Sequence, residues 1–554
     1  MHPMGAVNPG DLPTWVSAVA SLFAVIGAAI AARQAGRIYR LESARDEAAR
    51  EEQRDRDRLA RRAQGALVSG WWGYDGKMPA VRNGNARWGA FVRNASELPV
   101  FRATVTIVNR TSAELAESFD LPAIPPAGQP VFHAMKGTAL TEMTKRQRDG
   151  WIFDYRVALA YTDSYGRRWI RDQHGALHEC DGALTVLADG NRTEVLSQPL
   201  SEFAARYGVR LTMRPMDFFD LQPEFLAAVR SGDCPDIVIG VHDWLGNLLG
   251  HDAIEPLELS PERRADFHPR AIAALTRHDV LWGMPYAVEN LALFRNPELV
   301  PDAPATLEQL VADGERLIGE GRTTHVLALP CGLVGDAYHA YPLYAAAGGY
   351  LMRERDGGFE VDVDGPAGIA AFTRFAEFGE RHRRVLQRST DHDSALSLFI
   401  SGRSPFLLSG PWALPPLRRA GAPYAISPIP GFADGPPAVP LVGVPAAFLA
   451  KGGKNTELAR LALTEVLCRA DVAAAMYRAE PRPPAQLTKV VNLDADTRSF
   501  QQAGRHGMVM PSDRAMIQVF DVFGRAVAAC VGGEDAEPTA RAAGREIRRL
   551  LEIP

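Results

Sequence analysis

Two acidic residues set in apolar surroundings carry the chemistry this sequence suggests. Asp243 follows the run Asp236-Ile-Val-Ile-Gly-Val241, which begins after Pro235 and reads as a buried parallel strand. Ligands of open α/β sheets sit at the carboxyl ends of strands, so Asp243 is placed to face one. Glu289 lies in the apolar stretch 288–293, where an unpaired charge is costly. Carboxylates so placed could accept hydrogen bonds from a ligand. They could also act as a glycosidase-like acid pair, but no residue pattern fixes the separation or the raised pKa which that reaction needs. Asp243 is also suited to cap the helix that follows it. Asp391-His392-Asp393 has metal-ligand residue types, yet no further ligand falls in step, and the triplet reads as the N-cap of a helix over 394–402. No G-x-S-x-G, H-E-x-x-H, phosphate-binding or dinucleotide-binding motif occurs. These features favour binding over catalysis, with no cofactor implied.

The elements around the two acids alternate between strand and helix patterns from Ala183 onward, an α/β arrangement. Leu184-Thr-Val-Leu-Ala188 reads as an opening strand that runs into Asp189-Gly-Asn-Arg192. Phe203-Ala-Ala-Arg-Tyr-Gly-Val-Arg-Leu-Thr-Met213 reads as the end of a helix, a glycine cap and a strand. Trp282-Gly-Met-Pro-Tyr-Ala-Val-Glu289 gives a turn and two extended pieces around the second acid.

The order of these pieces resembles the extracellular solute-binding proteins of sugar ABC transporters, most closely the maltodextrin-binding branch. The shared elements are Pro235-Asp-Ile237, His242-Asp243, the segment Gly283-Met-Pro-Tyr-Ala-Val-Glu289 and the turn Gly410-Pro-Trp-Ala413, over about 183–551. The resemblance implies a two-lobed periplasmic-binding-protein type II fold. One lobe would hold about 183–287 and 446–490, the other about 290–441 and 495–551. It also implies a carbohydrate ligand, an ABC permease as partner, and no catalysis. A sugar site needs carboxylates and amides for its hydroxyls and aromatic planes for its C–H faces. By the resemblance, Asp243 and Glu289 bind hydroxyls, Asp336 and Tyr338 form an acidic and aromatic pair in the second lobe, and Trp412 stacks. Asn191 and Arg192 stand where the family has an acid and a lysine, and Phe520 where a late aromatic platform falls. Gly240 occupies the position of a stacking tryptophan, for which Trp244 is the expected substitute. Asp521 and Gly524 replace an aromatic and an arginine. These departures imply a shorter or different sugar.

Composition supports a soluble globular body: 554 residues, 46% apolar and 23% charged, enough for two or three domains. A formal charge of −5 and the lack of a basic aromatic patch argue against nucleic-acid binding. Five scattered cysteines suggest neither a zinc site nor a disulfide framework. Residues 12–32 are uncharged and long enough to span a bilayer, and are read as an uncleaved transmembrane anchor, with a cleaved signal peptide as the alternative. Arg33, Arg37 and Arg40 follow it with no cation before it, which puts the rest of the chain in the cytoplasm, whereas the resemblance puts it outside. Residues 33–64 read as a charged juxtamembrane helix with acid-first pairs such as Asp46/Arg50 and Asp57/Arg61. Residues 65–180 switch to period two, with Phe101, Ala103, Val105 and Ile107 on one face and Tyr155, Val157, Leu159 and Tyr161 on another, and read as a small β-sandwich.

Overall fold

The computed structural model describes residues 62–75, 87–109, 115–126, 128–135, 155–180, 182–355, 358–487 and 492–551. The run 12–32, read as an anchor, and all but the last three residues of the charged segment 33–64 lie outside these. Among the described residues no helix is long and apolar enough to cross a membrane.

Period-two segments before Ala183 pair into two antiparallel sheets. One has three strands in the order Val68–Asp75, Arg87–Asn94, Val131–Ala134. The other has five, in the order Leu115–Ile124, Val100–Asn109, Tyr155–Thr162, Arg168–Arg171, Leu177–Cys180. Val68, Ala90 and Val92 of the first share one buried cluster with Val105, Ile107, Leu159, Tyr161 and Trp169 of the second. Two departures from simple alternation have identifiable causes. Phe101 is 42% exposed. Pairing slips between Phe101 and Thr104 and Arg102 takes a positive φ, so Val100 rather than Phe101 enters the core ahead of Ala103. Ala158 and Ala160, on the face read as open, are buried as well. Ala160, Ile170 and Cys180 join the core of the α/β unit that follows, so the five-stranded sheet is covered on both sides. Arg168 fastens this contact by donating from Nε to the Tyr207 carbonyl at 2.5 Å. Because Cys180 leads almost directly into the strand Ala183–Asp189, the sheets dock at that strand's entry end.

The first α/β unit is built on a sheet in the order Arg210–Met216, Ala183–Asp189, Ile237–Val241, Pro445–Ala450, Ile254–Glu255, with Gly283–Pro285 also pairing to Pro445–Ala450. The leading three strands run parallel, and Pro445–Ala450 is antiparallel to its neighbours. The strand before Asp243 therefore has one parallel and one antiparallel partner, a mixed sheet rather than a purely parallel one. Its residues Ile237, Val238 and Ile239 are all buried, as expected of a strand covered on both faces. Asp236 anchors its entry, accepting from the Thr185 and Asn455 amides at 2.7 and 2.6 Å. The helices Gly190–Arg206 and Phe218–Ser231 are capped by Asp189 and Asp217.

The second α/β unit centres on the strands Phe406–Ser409, Ala292–Arg295 and Ala425–Ser427. Leu291 and Leu293 join the large core with the helices Ala337–Ala346, Pro366–Phe378 and Met516–Val531. Ala292 and Phe294 join a second cluster with Phe399, Leu414 and Phe500 on the other face. Between the units lies a three-stranded sheet of Glu289–Asn290, Leu441–Gly443 and Met508–Val509.

Candidate functional site

Strand Ile237–Val241 delivers its polar pair to the edge of the first unit, where the chain makes one 3-10 turn, His242–Trp244, before the helix Leu245–Gly250. His242 is fully buried, and its Nδ1 accepts from the Val444 amide at 3.0 Å. The tautomer is thereby set, and Nε2–H donates to the Met510 carbonyl at 2.8 Å. Burial pushes its pKa down to about 4, so the ring is neutral and ties the strand end to the residues just after Leu441–Gly443 and Met508–Val509, two of the three strands between the units. Asp243 takes no part in these bonds. Its Oδ1 is enclosed without a hydrogen-bond partner among the described residues. Burial, with a smaller contribution from the Glu289 charge, raises its pKa to about 7.

Trp244 departs from the role of an open platform. It is 7% exposed and belongs to the first core. Its ring lies over Gly240, where an added Cβ would come within 2.2 Å of it. The missing side chain at Gly240 is what admits the indole, so the two positions work as one packing unit. Gly410 stands in the same relation to Trp412, with an added Cβ 2.3 Å from that ring.

Glu289 is 8% exposed and pairs with Arg482 at 2.5 Å. Arg482 also holds Glu480 at 2.5 Å, and Glu480 holds Arg192 at 2.7 Å. Arg192 completes the series on Asp189 at 3.3 Å and on the Tyr286 hydroxyl at 3.2 Å. Five charges thus form a buried chain, Asp189–Arg192–Glu480–Arg482–Glu289. Burial raises the Glu289 pKa although Arg482 opposes it. Arg192, Glu480 and Arg482 line a recess that also takes in Asn191, which is exposed at the start of its helix, and Tyr477. Glu480 and Arg482 were not anticipated, since no residue pattern around them points to a site.

The second unit contributes an aromatic cluster. Asp336 caps the helix Ala337–Ala346, accepting from the His339 amide at 3.0 Å and its Nδ1 at 2.7 Å. Burial works against the Asp336 charge, but His339 leaves its pKa below the ordinary carboxylate range. Tyr338 lies 6.2 Å from Trp412 between ring centres. Its hydroxyl pKa is held far above the usual value by burial and then by Glu289 and Asp243, which sets those three groups within electrostatic reach. His339 and His392 complete the cluster, at 6.2 and 6.5 Å from Trp412. The Trp412 Nε1 and His339 Nε2 atoms are buried without a partner among the described residues. His339 went unmarked in the sequence because its tie to Asp336 is a helix-cap contact, visible only once the cap is placed. Asp391 forms a reciprocal cap with Ser394 at the start of His392–Ile400.

The remaining expected positions fall elsewhere. Phe520, on the helix Met516–Val531, is half-buried against the second core and is not part of the ring cluster. Asp521 pairs with Arg525 on the same helix. Gly524 has a packing cause, because the loop at Gly335, with φ of 84°, rests on its backbone.

Asp243, Glu289 and Tyr338 thus lie within electrostatic reach of one another, Tyr338 neighbours Trp412, and Arg192 is linked to Glu289 through ion pairs. A family model described as bacterial extracellular solute-binding protein matches residues 200–503, more than half of the chain. Among curated proteins, the maltotriose-binding protein of Pyrococcus abyssi is 26% identical over 43% of this chain and 52% of its own length. The maltooligosaccharide ABC transporter solute-binding lipoprotein of Streptococcus pneumoniae is 23% identical over 50% of this chain and 65% of its own. The galactooligosaccharide-binding protein of Bacillus subtilis is 24% identical over 50% and 66%. The chain thus spans between half and two thirds of the length of these relatives. On the span of the family match, with the mixed α/β units that carry it, the chain belongs to the bacterial extracellular solute-binding proteins.

Proposed function

We propose that this chain captures a neutral oligosaccharide between its two α/β units, closes on it by hinge motion and presents it to an ABC permease. Proteins of this family bind their solute without converting it. The sugar reading is supported by Tyr338, which lies 6.2 Å from Trp412 between ring centres and within electrostatic reach of Glu289 and Asp243. Enclosed carboxylate, indole N–H and imidazole nitrogen without partners are the groups that ligand hydroxyls satisfy, and the ring faces suit C–H surfaces. The relatives bind maltotriose, maltooligosaccharides or galactooligosaccharides by name, and the oligosaccharide class is carried over from them. Trp244 is buried and Glu289 already holds Arg482, so this site has fewer open contacts than the sequence reading allows. A shorter or differently linked sugar fits that better than a long maltodextrin.

Calorimetric titration of the full chain with malto- and galacto-oligosaccharides, from disaccharide to heptasaccharide, tests the reading. Micromolar binding is expected for at least one. Trp412→Ala should weaken it by about tenfold or more, and Glu289→Gln should weaken it as well. Binding untouched by both substitutions rejects the site.

The 12–32 run serves in this proposal as a membrane anchor, with the binding units outside the cell. A second reading keeps the same sugar-binding body but makes it a cytoplasm-facing sensor or scaffold, and Arg33, Arg37 and Arg40 after the apolar run favour it. A topology reporter fused to the C-terminus separates the two: a cytoplasmic signal excludes delivery from outside.

A further inference from the structure

Three parallel strands of the first unit end along one rim. Ala183–Asp189 runs into Asn191 and Arg192, and Ile237–Val241 into Asp243 and Trp244. The third, Arg210–Met216, runs into Asp217-Phe218-Phe219-Asp220. Asp217 caps the helix by accepting from the Phe219 amide at 3.0 Å, which fixes the backbone carrying both rings. Phe219 is 75% exposed and Phe218 39%.

A single exposed phenylalanine needs no explanation. This one ends a series of rings. Trp244 meets Phe218 at 5.8 Å, and Phe218 meets Phe219 edge-on at 5.7 Å. The series begins in the first core, one residue from Asp243, and finishes at an open ring face. Gly240 supplies no ring at its own strand end and Trp244 is buried over it, so the outermost member, Phe219, is the ring of this series most open for stacking. Asp217 and Asp220 flank it, both exposed. Carboxylates beside an aromatic face suit a neutral polyol, whose hydroxyls donate to them while its C–H face covers the ring, and they disfavour an anionic ligand.

We propose that Phe219, braced by Phe218 and Trp244, is the stacking platform for an outer sugar unit and sets the length preference of the site. This rests on the oligosaccharide reading given above. The platform acts only on ligands long enough to reach it, so its signature is a dependence on chain length rather than a uniform loss.

The test is the same oligosaccharide series titrated into the unaltered full chain, Phe219→Ala and Phe219→Trp. Phe219 is mostly solvent-exposed, so the substitutions leave the core intact, and the melting temperature checks this. For Phe219→Ala, affinity should be unchanged for the shortest binder and fall roughly three- to tenfold for longer members. Phe219→Trp should restore or exceed the original affinity for those. An equal loss at every length overturns the platform, as does no loss at any length, the outcome expected if these rings serve a protein partner instead. If no oligosaccharide binds the unaltered chain, the sugar reading fails and takes the platform with it. Binding with a flat response to Phe219→Ala removes the platform alone.

Discussion

Asp243 makes the site's affinity a function of pH. In the free protein its pKa is raised to about 7, by burial first and then by the Glu289 charge, from the ordinary aspartate value of 3.8. A sugar hydroxyl donating to the enclosed Oδ1 stabilises the charged form and returns the bound-state pKa toward the ordinary range. Binding then expels a proton wherever the solution lies between the two values. A full return to the ordinary aspartate value of 3.8 would release roughly 0.9 proton at pH 6 and roughly 0.1 at pH 8. Apparent affinity should rise about 50-fold from pH 5 to 7 and less than about twofold from 7 to 8. Calorimetry in two buffers of different ionisation enthalpy at pH 6 reads the proton directly. Asp243→Asn removes the buffer dependence and flattens the profile, while Glu289 and Tyr338, the other titratable groups facing it, stay in place. Equal heats in both buffers at pH 6, or an unchanged pH slope in Asp243→Asn, refutes the assignment of Asp243 to a ligand hydroxyl. Stability of the free protein is a poorer reporter, because two groups oppose each other. The raised Asp243 contributes stability that is full below about pH 4 and lost as pH rises through about 7, at most about 4 kcal/mol. The depressed His242 contributes stability that is full above about pH 6.5 and lost as pH falls through about 4, about 3 kcal/mol.

Two further substitutions probe the supports of the site. Gly240→Ala places a methyl group about 2.2 Å from the Trp244 ring, so the indole must leave its core position; a loss of about 1–3 kcal/mol in denaturant unfolding is expected, and an unchanged midpoint contradicts the packing account. Arg482→Met strands Glu289 in a buried setting and leaves Glu480 to Arg192 alone, at a cost of about 3–5 kcal/mol. Adding Glu289→Gln should recover part of that loss, and strict additivity in the double-mutant cycle would show the pair to be uncoupled.

Much of this architecture can be read from local pattern. Pro235 followed by a β-branched run marks the strand that carries Asp243, and the sequence Tyr207-Gly208 marks the end of the helix before Arg210–Met216, with Gly208 at φ of 63°. Period two finds the strands before Ala183 but misplaces Phe101, because a slip in register leaves no mark in a hydrophobic pattern. It also cannot see that Ala158 and Ala160 are covered. Small residues on an alternating strand look like an open face until a second unit packs on them, and that contact joins residues far apart in the chain.

The site shows the same division more sharply. Asp243 and Glu289 are legible because a charge in an apolar stretch has few ways to be accommodated. Trp244 is not, since an indole one residue past a strand looks the same whether it faces a ligand or folds back over a glycine four residues earlier. What decides is Gly240: with no side chain there, the indole fills the gap and gains a core's worth of contacts. The same logic moves the aromatic function outward. Once Trp244 is committed to packing, the rings that remain exposed on that rim are those it supports, Phe218 and Phe219, and their spacing from Asp243 in sequence hides a neighbour relation that the parallel strands create. Glu289 illustrates the limit from the other side. Its charge is legible, but its partner Arg482 lies nearly two hundred residues later, and only the fold shows that the charge is already matched by a cation before any sugar arrives.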